Sequence, residues 1–187
     1  MSRLPADAET VLLPLARSAI ERAVGLDAPV ATDLPRWCRE DGASFVTLHL
    51  DGRLRGCIGS LSAYRPLAAD VSRNARAAAL DDPRFAPVTA QEAPDLHLEV
   101  SVLSSPEPLP AGSEAEVAAL LRPGVDGVVL EGRGRRGTYL PQVWAQIPEP
   151  AAFLRHLKAK AGLPADWWGE DVRVCTYTVR SFEEGQP

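Results

Sequence analysis

The tightest constraint in this chain is a hairpin. Residues 43–50 (Ala-Ser-Phe-Val-Thr-Leu-His-Leu) and 53–59 (Arg-Leu-Arg-Gly-Cys-Ile-Gly) alternate as strands do, with only Asp51-Gly52 between them. Asp-Gly supplies the left-handed backbone of a tight hairpin, so the two stretches must run antiparallel. The register is less constrained, and a slip of one residue exchanges every side chain between faces. A two-residue loop sets Cys57 opposite Val46 and Arg55 opposite Leu48, on the apolar face. Counting Arg53 into the loop pairs Cys57 with Thr47 and Arg55 with His49, leaving Leu54 and Ile58 beside Leu50 and Val46. The longer loop is expected, because it buries no arginine among leucines and valines.

The second strand also carries the best chemical lead. Glycine inside a strand weakens pairing and usually marks a bulge or a close approach, and Gly56 and Gly59 lie on either side of Cys57. A thiolate acts as a nucleophile when nearby positive charge favours it, and Arg55 is two residues away, on the same strand face. In the favoured register Thr47 and His49 lie across from this pair. Free cysteine is also a common small core residue, so a buried, inert Cys57 is the competing reading.

Elsewhere the periodicity alternates between helix and strand. A helix is expected over residues 7–24, where Leu12, Leu15, Ala16, Ala19, Ile20 and Ala23 recur at helical spacing; Pro14 belongs in a first turn, so the start can lie later. A short helical turn follows around residues 34–39. A helix over 66–80 carries a stripe of Leu67, Val71, Asn74, Ala75 and Ala78, with Pro66 in its first turn. Thr89-x-x-Glu92 and Ser113-x-x-Glu116 have the form of capping boxes, the second opening a helix over 113–121. Residues 96–103 alternate as a strand, and 127–131 and 137–140 are short strands. Residues 150–161 form a helix that turns Phe153, Leu154 and Leu157 inward, and 171–182 read as one last strand. The order hairpin, helix, strand therefore occurs twice, over 43–103 and 127–182. The expected class is α+β (mixed α/β), a mostly antiparallel or mixed sheet covered by helices, as one domain over 1–187 with two related halves as a hypothesis of structural duplication.

Composition limits the partners. With 187 residues, 45% of them hydrophobic, the chain is long enough for a substantial core. A net charge of -5 argues against nucleic acid or an anionic membrane as partner. No apolar run reaches membrane-spanning length and the N-terminus lacks the order of a signal peptide, so a cytoplasmic protein is expected. Cys38, Cys57 and Cys175 are odd in number and widely spaced, which suits neither a disulfide framework nor a zinc cluster. No phosphate loop, dinucleotide fingerprint, HExxH or iron–sulfur cysteine triad occurs, so no cofactor or metal is expected.

Seven blocks in order resemble the AMMECR domain family over nearly the whole chain. They are 43–48, Leu54-Arg55-Gly56-Cys57-Ile58-Gly59-Ser60, Arg65-Pro66-Leu67, Asp82-Pro83-Arg84-Phe85, 98–103, Leu140-Pro141-Gln142-Val143-Trp144 and Lys160-Ala161-Gly162-Leu163-Pro164. Tyr64 stands where relatives often have His, and Ala86 where Pro is usual, so no acid–base role is expected at position 64. The resemblance implies a mixed α/β fold of two related halves. It also implies membership of the AmmeMemoRadiSam system, beside a Memo-like protein and a radical S-adenosylmethionine enzyme. It supplies no reaction.

The candidate residues follow from both readings. Cys57 is the expected nucleophile or proton donor. Glu99, which alternates with His97 and Ser101 on the face opposite four aliphatics, is the expected proton carrier, although such a face is commonly just the wet side of a sheet. Arg55, Gly56, Gly59, Thr47, His49, Asn74, Arg84, Gln142 and Lys160 are the expected substrate contacts. Three of them have ordinary explanations. Arg84 can pair with Asp81 or Asp82, Asn74 needs only a backbone carbonyl, and Lys160 suits the end of its helix. The basic tip of Arg133, Arg135 and Arg136 reads as a solvated turn, and Trp167-Trp168 as a cover over the core. The function expected is an enzyme or enzyme component acting on a small anionic metabolite. A non-catalytic binding protein of the same system is the alternative, and nucleic-acid binding is the weakest reading.

Overall fold

The structure, a computed structural model, describes residues 4–185. In chain order the elements begin with α1 (Glu9–Ala23), a 3-10 turn (Arg36–Arg39), β1 (Ala43–Leu50), β2 (Arg53–Gly59) and α2 (Leu67–Leu80). A second 3-10 turn (Ala93–Asp95) leads to β3 (His97–Leu103), the two-residue β4 (Glu107–Pro108), α3 (Glu114–Leu120), β5 (Gly127–Gly132) and β6 (Arg135–Tyr139). A third 3-10 turn (Pro141–Ala145), α4 (Pro150–Lys160), β7 (Arg173–Tyr177) and β8 (Val179–Glu183) complete it. The strands make two four-stranded sheets, ordered β2-β1-β3-β8 and β4-β7-β5-β6, in an α+β fold. By contacts the chain forms two compact units, one running to Leu103 and resuming at Arg180, the other Ser104–Val179. Among the described residues no helix is long and apolar enough to cross a membrane.

In the first unit, β1 runs antiparallel to both β2 and β3. Alternation sends Val46, Leu48, Leu98, Val100 and Val102 to one face, where α1 and α2 bury them. Helix α2 contributes Leu67, Val71, Ala75 and Ala78, and its alanines let its backbone lie close to the sheet. Pro14 lies in the second turn of α1, not at its start. It costs the hydrogen bond to the Thr10 carbonyl, but both residues are on the exposed side, where that carbonyl meets solvent.

In the second unit, Val128, Leu130 and Val174 pack against Phe153, Leu154 and Leu157 of α4. Trp144 stacks on Phe153 with ring centroids 3.7 Å apart, and its indole N–H donates to the Asp126 carbonyl at 2.7 Å. The first capping box closes, and in the second the Glu116 carboxylate takes the Gly112 N–H at 2.7 Å in place of that of Ser113. Thr89 and Glu92 exchange bonds reciprocally, and Ser113 Oγ accepts from the Glu116 N–H at 3.3 Å.

The two sheets have corresponding strand orders. Each reads, from one edge, second hairpin strand, first hairpin strand, the strand after the helix, then a fourth strand. Both hairpins turn on a left-handed residue followed by a left-handed glycine, Asp51-Gly52 and Arg133-Gly134. Each also has a glycine at the same place, Gly56 opposite Leu48 and Gly137 opposite Leu130, close under its helix. The fourth strands are exchanged: β4 follows β3 but joins the sheet of β7, and β8 follows β7 but joins that of β3. For this reason the single last strand expected over 171–182 is in fact two strands. It breaks at Thr178, whose N–H donates to Ser104 Oγ at 3.0 Å and whose carbonyl accepts from the Ser104 N–H at 2.9 Å.

Candidate functional site

The hairpin combines both registers considered for it. Next to the turn, Leu50 pairs with Arg53 and His49 with Leu54, as a two-residue loop requires. Beyond a β-bulge, Leu48 pairs with Gly56 and Thr47 with Cys57, as the longer loop requires. Arg55 is the extra residue. The expected pairing of Arg55 with His49 therefore does not form, whereas that of Cys57 with Thr47 does. The bulge reconciles a tight turn with an arginine kept off the apolar face.

Both glycines answer to packing. A Cβ on Gly56 would lie 2.1 Å from the Ala78 carbonyl oxygen of α2, and one on Gly59 would lie 2.2 Å from the Phe45 ring. The close approach expected at these positions is made by the protein itself.

Across β2, β1 and β3 a row runs Cys57, Thr47, Glu99. All three are half-buried, on the sheet face turned away from the helices. The Thr47 hydroxyl donates to the Cys57 sulfur at 3.3 Å. Glu99 accepts from Ser101 Oγ at 2.7 Å, and Ser101 Oγ is 2.8 Å from that of Ser181. His49 and His97 face each other one row nearer the turn.

The guanidinium expected beside the thiol does not turn towards it. Arg55 Nε meets Glu92 Oε1 at 3.0 Å, and its Nη atoms reach the carbonyls of Ala86 and Pro87. The same carboxylate closes the Thr89–Glu92 capping box, and Arg55 first, then the Thr89 N–H, pull the Glu92 carboxyl down to about 2. Arg84 is the arginine at Cys57. Its Nη2 donates to the Cys57 carbonyl at 3.2 Å, while Asp82 accepts from the Cys57 N–H at 2.9 Å. Asp82 also takes Arg84 Nε at 2.9 Å and Nη2 at 2.7 Å. The Asp82–Arg84 pair thus offers edge strand β2 an acceptor and a donor, as a neighbouring strand would. Hydrogen bonds from Arg84 have the largest effect on the Asp82 carboxyl and hold it well below the usual carboxylate range against its burial. Arg84 is itself raised, chiefly by Asp82, with the Cys57 side chain a lesser contributor.

Asn74 lies in a buried cluster around Asp70. Asp70 accepts from the Ser44 N–H (2.9 Å), Ser44 Oγ (2.8 Å), Ser60 Oγ (2.8 Å) and Asn74 Nδ2 (3.0 Å), with Arg65 Nε at 3.6 Å. Asn74 Nδ2 also donates to the Ser44 carbonyl at 2.9 Å, the backbone partner its position called for. The cluster ties α2 to the start of β1 and the end of β2, and so holds the strand that bears Cys57.

The AMMECR1 family profile matches residues 13–182. The chain belongs to the AMMECR1 family.

A Methanothermobacter thermautotrophicus relative of this AMMECR1 chain is 40% identical over 187 residues, covering 97% of this chain and 96% of that protein. Protein MJ0810 of Methanocaldococcus jannaschii is 35% identical over 191 residues, covering 100% and 95%. The crystal structure of the uncharacterized protein PH0010 from Pyrococcus horikoshii superposes with a TM-score of 0.76 at 37% identity, covering 94% of this chain and 91% of that one.

The remaining candidates of this AMMECR1 chain belong to its second unit. Gln142 is exposed in the third 3-10 turn. Lys160 Nζ donates to the Thr138 carbonyl of β6 at 2.8 Å and lies over the Tyr139 ring. The basic tip is engaged internally, with Arg133 over the Trp167 ring and Arg136 paired with Glu131. Sequence reasoning overlooked Asp82 as the residue that grips Cys57, Asp70 as the buried organiser and Lys158, buried and paired with Glu114 at 2.8 Å. For Asp82 a signal existed: an acid and an arginine two apart around a proline, in a block already singled out.

Proposed function

We propose that this AMMECR1-family protein is an enzyme or enzyme component that acts on a small anionic metabolite at Cys57. The thiol is the nucleophile or proton donor, Glu99 carries the proton, and the exposed side of the Arg84 guanidinium receives the acidic group of the substrate. The observation that carries this reading is the setting of the thiol. It is half-exposed, receives a hydroxyl hydrogen bond from Thr47, shares a strand row with a carboxylate, and is gripped through its own N–H and carbonyl by Asp82 and Arg84. A filler cysteine needs neither the hydroxyl donor nor the carboxylate in its row, and the backbone grip fixes where this thiol stands. Adjacent strands are about 4.8 Å apart, so Cys57 and Glu99, two strands apart, can reach opposite ends of one small molecule.

The lineage adds the partners of the proposal. As an AmmeMemoRadiSam system protein A in the cytoplasm, the chain would work beside a Memo-like protein and a radical S-adenosylmethionine enzyme, with any radical chemistry belonging to the latter. One observation favours a purely binding role instead. Arg55 is committed to Glu92 and Arg84 to Asp82, so each guanidinium near the motif already has its own carboxylate.

Reconstituting the purified protein with both companions and following product formation separates the two. Cys57→Ser preserves the size and hydrogen bonding of the side chain. Product formation lost with the fold intact supports catalysis, whereas unchanged product formation leaves only the binding role.

A further inference from the structure

We propose that the outward face of α2 carries a second anion site, independent of Cys57, shaped for a phosphoryl group. A hollow of about 480 Å³ opens there, lined by Arg65, Ala69, Arg73, Arg76, Ala77 and Asp81. Steps of four along a helix put residues in one row, so Arg73 stands between Ala69 and Ala77, with Arg65 continuing the row beyond the helix start and Arg76 beside it. The alanines are the floor. A long side chain at either position would fill the space that the arginine arms now enclose.

Two of the three arms are already held. Arg65 lies 3.6 Å from the wholly buried Asp70 carboxylate and stacks on the Tyr64 ring at 4.1 Å. Arg76 is paired with Asp81 at 2.9 Å. Arg65 is held through Nε to Asp70 and through Nη2 to the Tyr64 hydroxyl, and Arg76 through Nη1 to Asp81, so less ordering entropy is lost when a ligand arrives. Arg73 is exposed and, among the described residues, has no carboxylate within ion-pair distance. The two held arms are neutralised and Arg73 is not, so one positive charge faces the hollow beside the N–H groups that the held arms keep free.

A phosphoryl group suits this arrangement because its three acceptor oxygens can take the whole Arg73 fork together with the N–H groups left on Arg65 and Arg76. The hollow falls within the size range of small-molecule sites. Nor is it a by-product of a basic protein, since the chain as a whole carries a net charge of -5.

The test is calorimetric titration of the full chain with inorganic pyrophosphate at about 150 mM salt, where diffuse attraction is screened within about 8 Å. One saturable site is expected. Arg73→Ala should weaken it about tenfold or more and Arg73→Lys by less, since the charge remains but the fork is lost. Arg53→Ala, at the exposed hairpin turn, should leave it unchanged, and so should Arg84→Ala, which probes the Cys57 site. Arg73 is exposed, so its variants should melt with the parent. The proposal is overturned by an absence of saturable heat, or by equal weakening in Arg53→Ala and Arg73→Ala. It is also overturned by a loss in Arg84→Ala with Arg73→Ala intact, or by malonate competing as well as pyrophosphate does.

Discussion

Gly56→Ala is the sharpest test of how the Cys57 strand is held. The added methyl would lie 2.1 Å from the Ala78 carbonyl oxygen and 3.1 Å from its carbon, both helix backbone. A carbon and an oxygen in favourable contact are about 3.3–3.6 Å apart, so α2 would have to withdraw by about 1 Å. Withdrawal is costly. Ala75, Ala78 and Ala79 are buried against the sheet, and the same helix carries Asp70 and Asn74 into their hydrogen-bonded cluster with Ser44 and Ser60. Overpacking of this kind costs about 1–3 kcal/mol, and rigid backbone on one side with a buried polar cluster on the other puts Gly56→Ala near the top of that range. At about 2–4 °C per kcal/mol for a chain of this size, the midpoint should fall by roughly 6–12 °C. The equivalent change in the other half, Gly137→Ala, meets Ala161 Cβ at 3.0 Å and the Leu157 carbonyl oxygen at 3.2 Å, and should cost about 1 kcal/mol or less. Urea and thermal unfolding of both variants measure the difference. Gly56→Ala within about 0.5 kcal/mol of the parent, or costing no more than Gly137→Ala, would refute the reasoning.

Asp70→Ala strands Ser44, Ser60, Asn74 and Arg65 around a buried void and should cost about 3 kcal/mol or more, read as a shift in urea midpoint. Glu92 is held to about 2 in the folded state, below its unfolded value of about 4.3, so its pairing stabilises the fold above about pH 4.5 and is lost as pH falls towards 2. Glu92→Gln should therefore lower stability at pH 6 and flatten its decline between about pH 4.5 and 2.5, and parallel slopes for variant and parent would rule this out. Glu114→Gln leaves the buried Lys158 ammonium without its carboxylate, whereas Lys158→Met replaces the cation with an apolar chain of similar length. The first should destabilise by about 1–3 kcal/mol and the second by less, and the reverse order in thermal melts would contradict the pairing.

The local grammar of this protein was legible residue by residue. Strands β1 and β2 begin and end where alternation and Asp51-Gly52 place them, and Thr89–Glu92 closes as a capping box should. The aliphatic stripes of α2 and α4 face the core as their spacing dictates. These features follow from backbone geometry and side-chain period within a few residues, so neighbouring identities suffice to determine them. The candidate site was only half legible. The pairing of Cys57 with Thr47 could be read because strand period carries it, once the bulge at Arg55 is allowed, whereas Glu99 joins their row only because β3 pairs with β1. The ionic partners could not. Arg55 finds Glu92 across 37 positions, Cys57 is gripped by Asp82 across 25, and the last strand divides at Thr178 because its two halves belong to different sheets. A charge or a free backbone N–H specifies only the type of partner it needs; which of several arginines or carboxylates satisfies it is decided when the packed sheets and helices bring distant parts of the chain together.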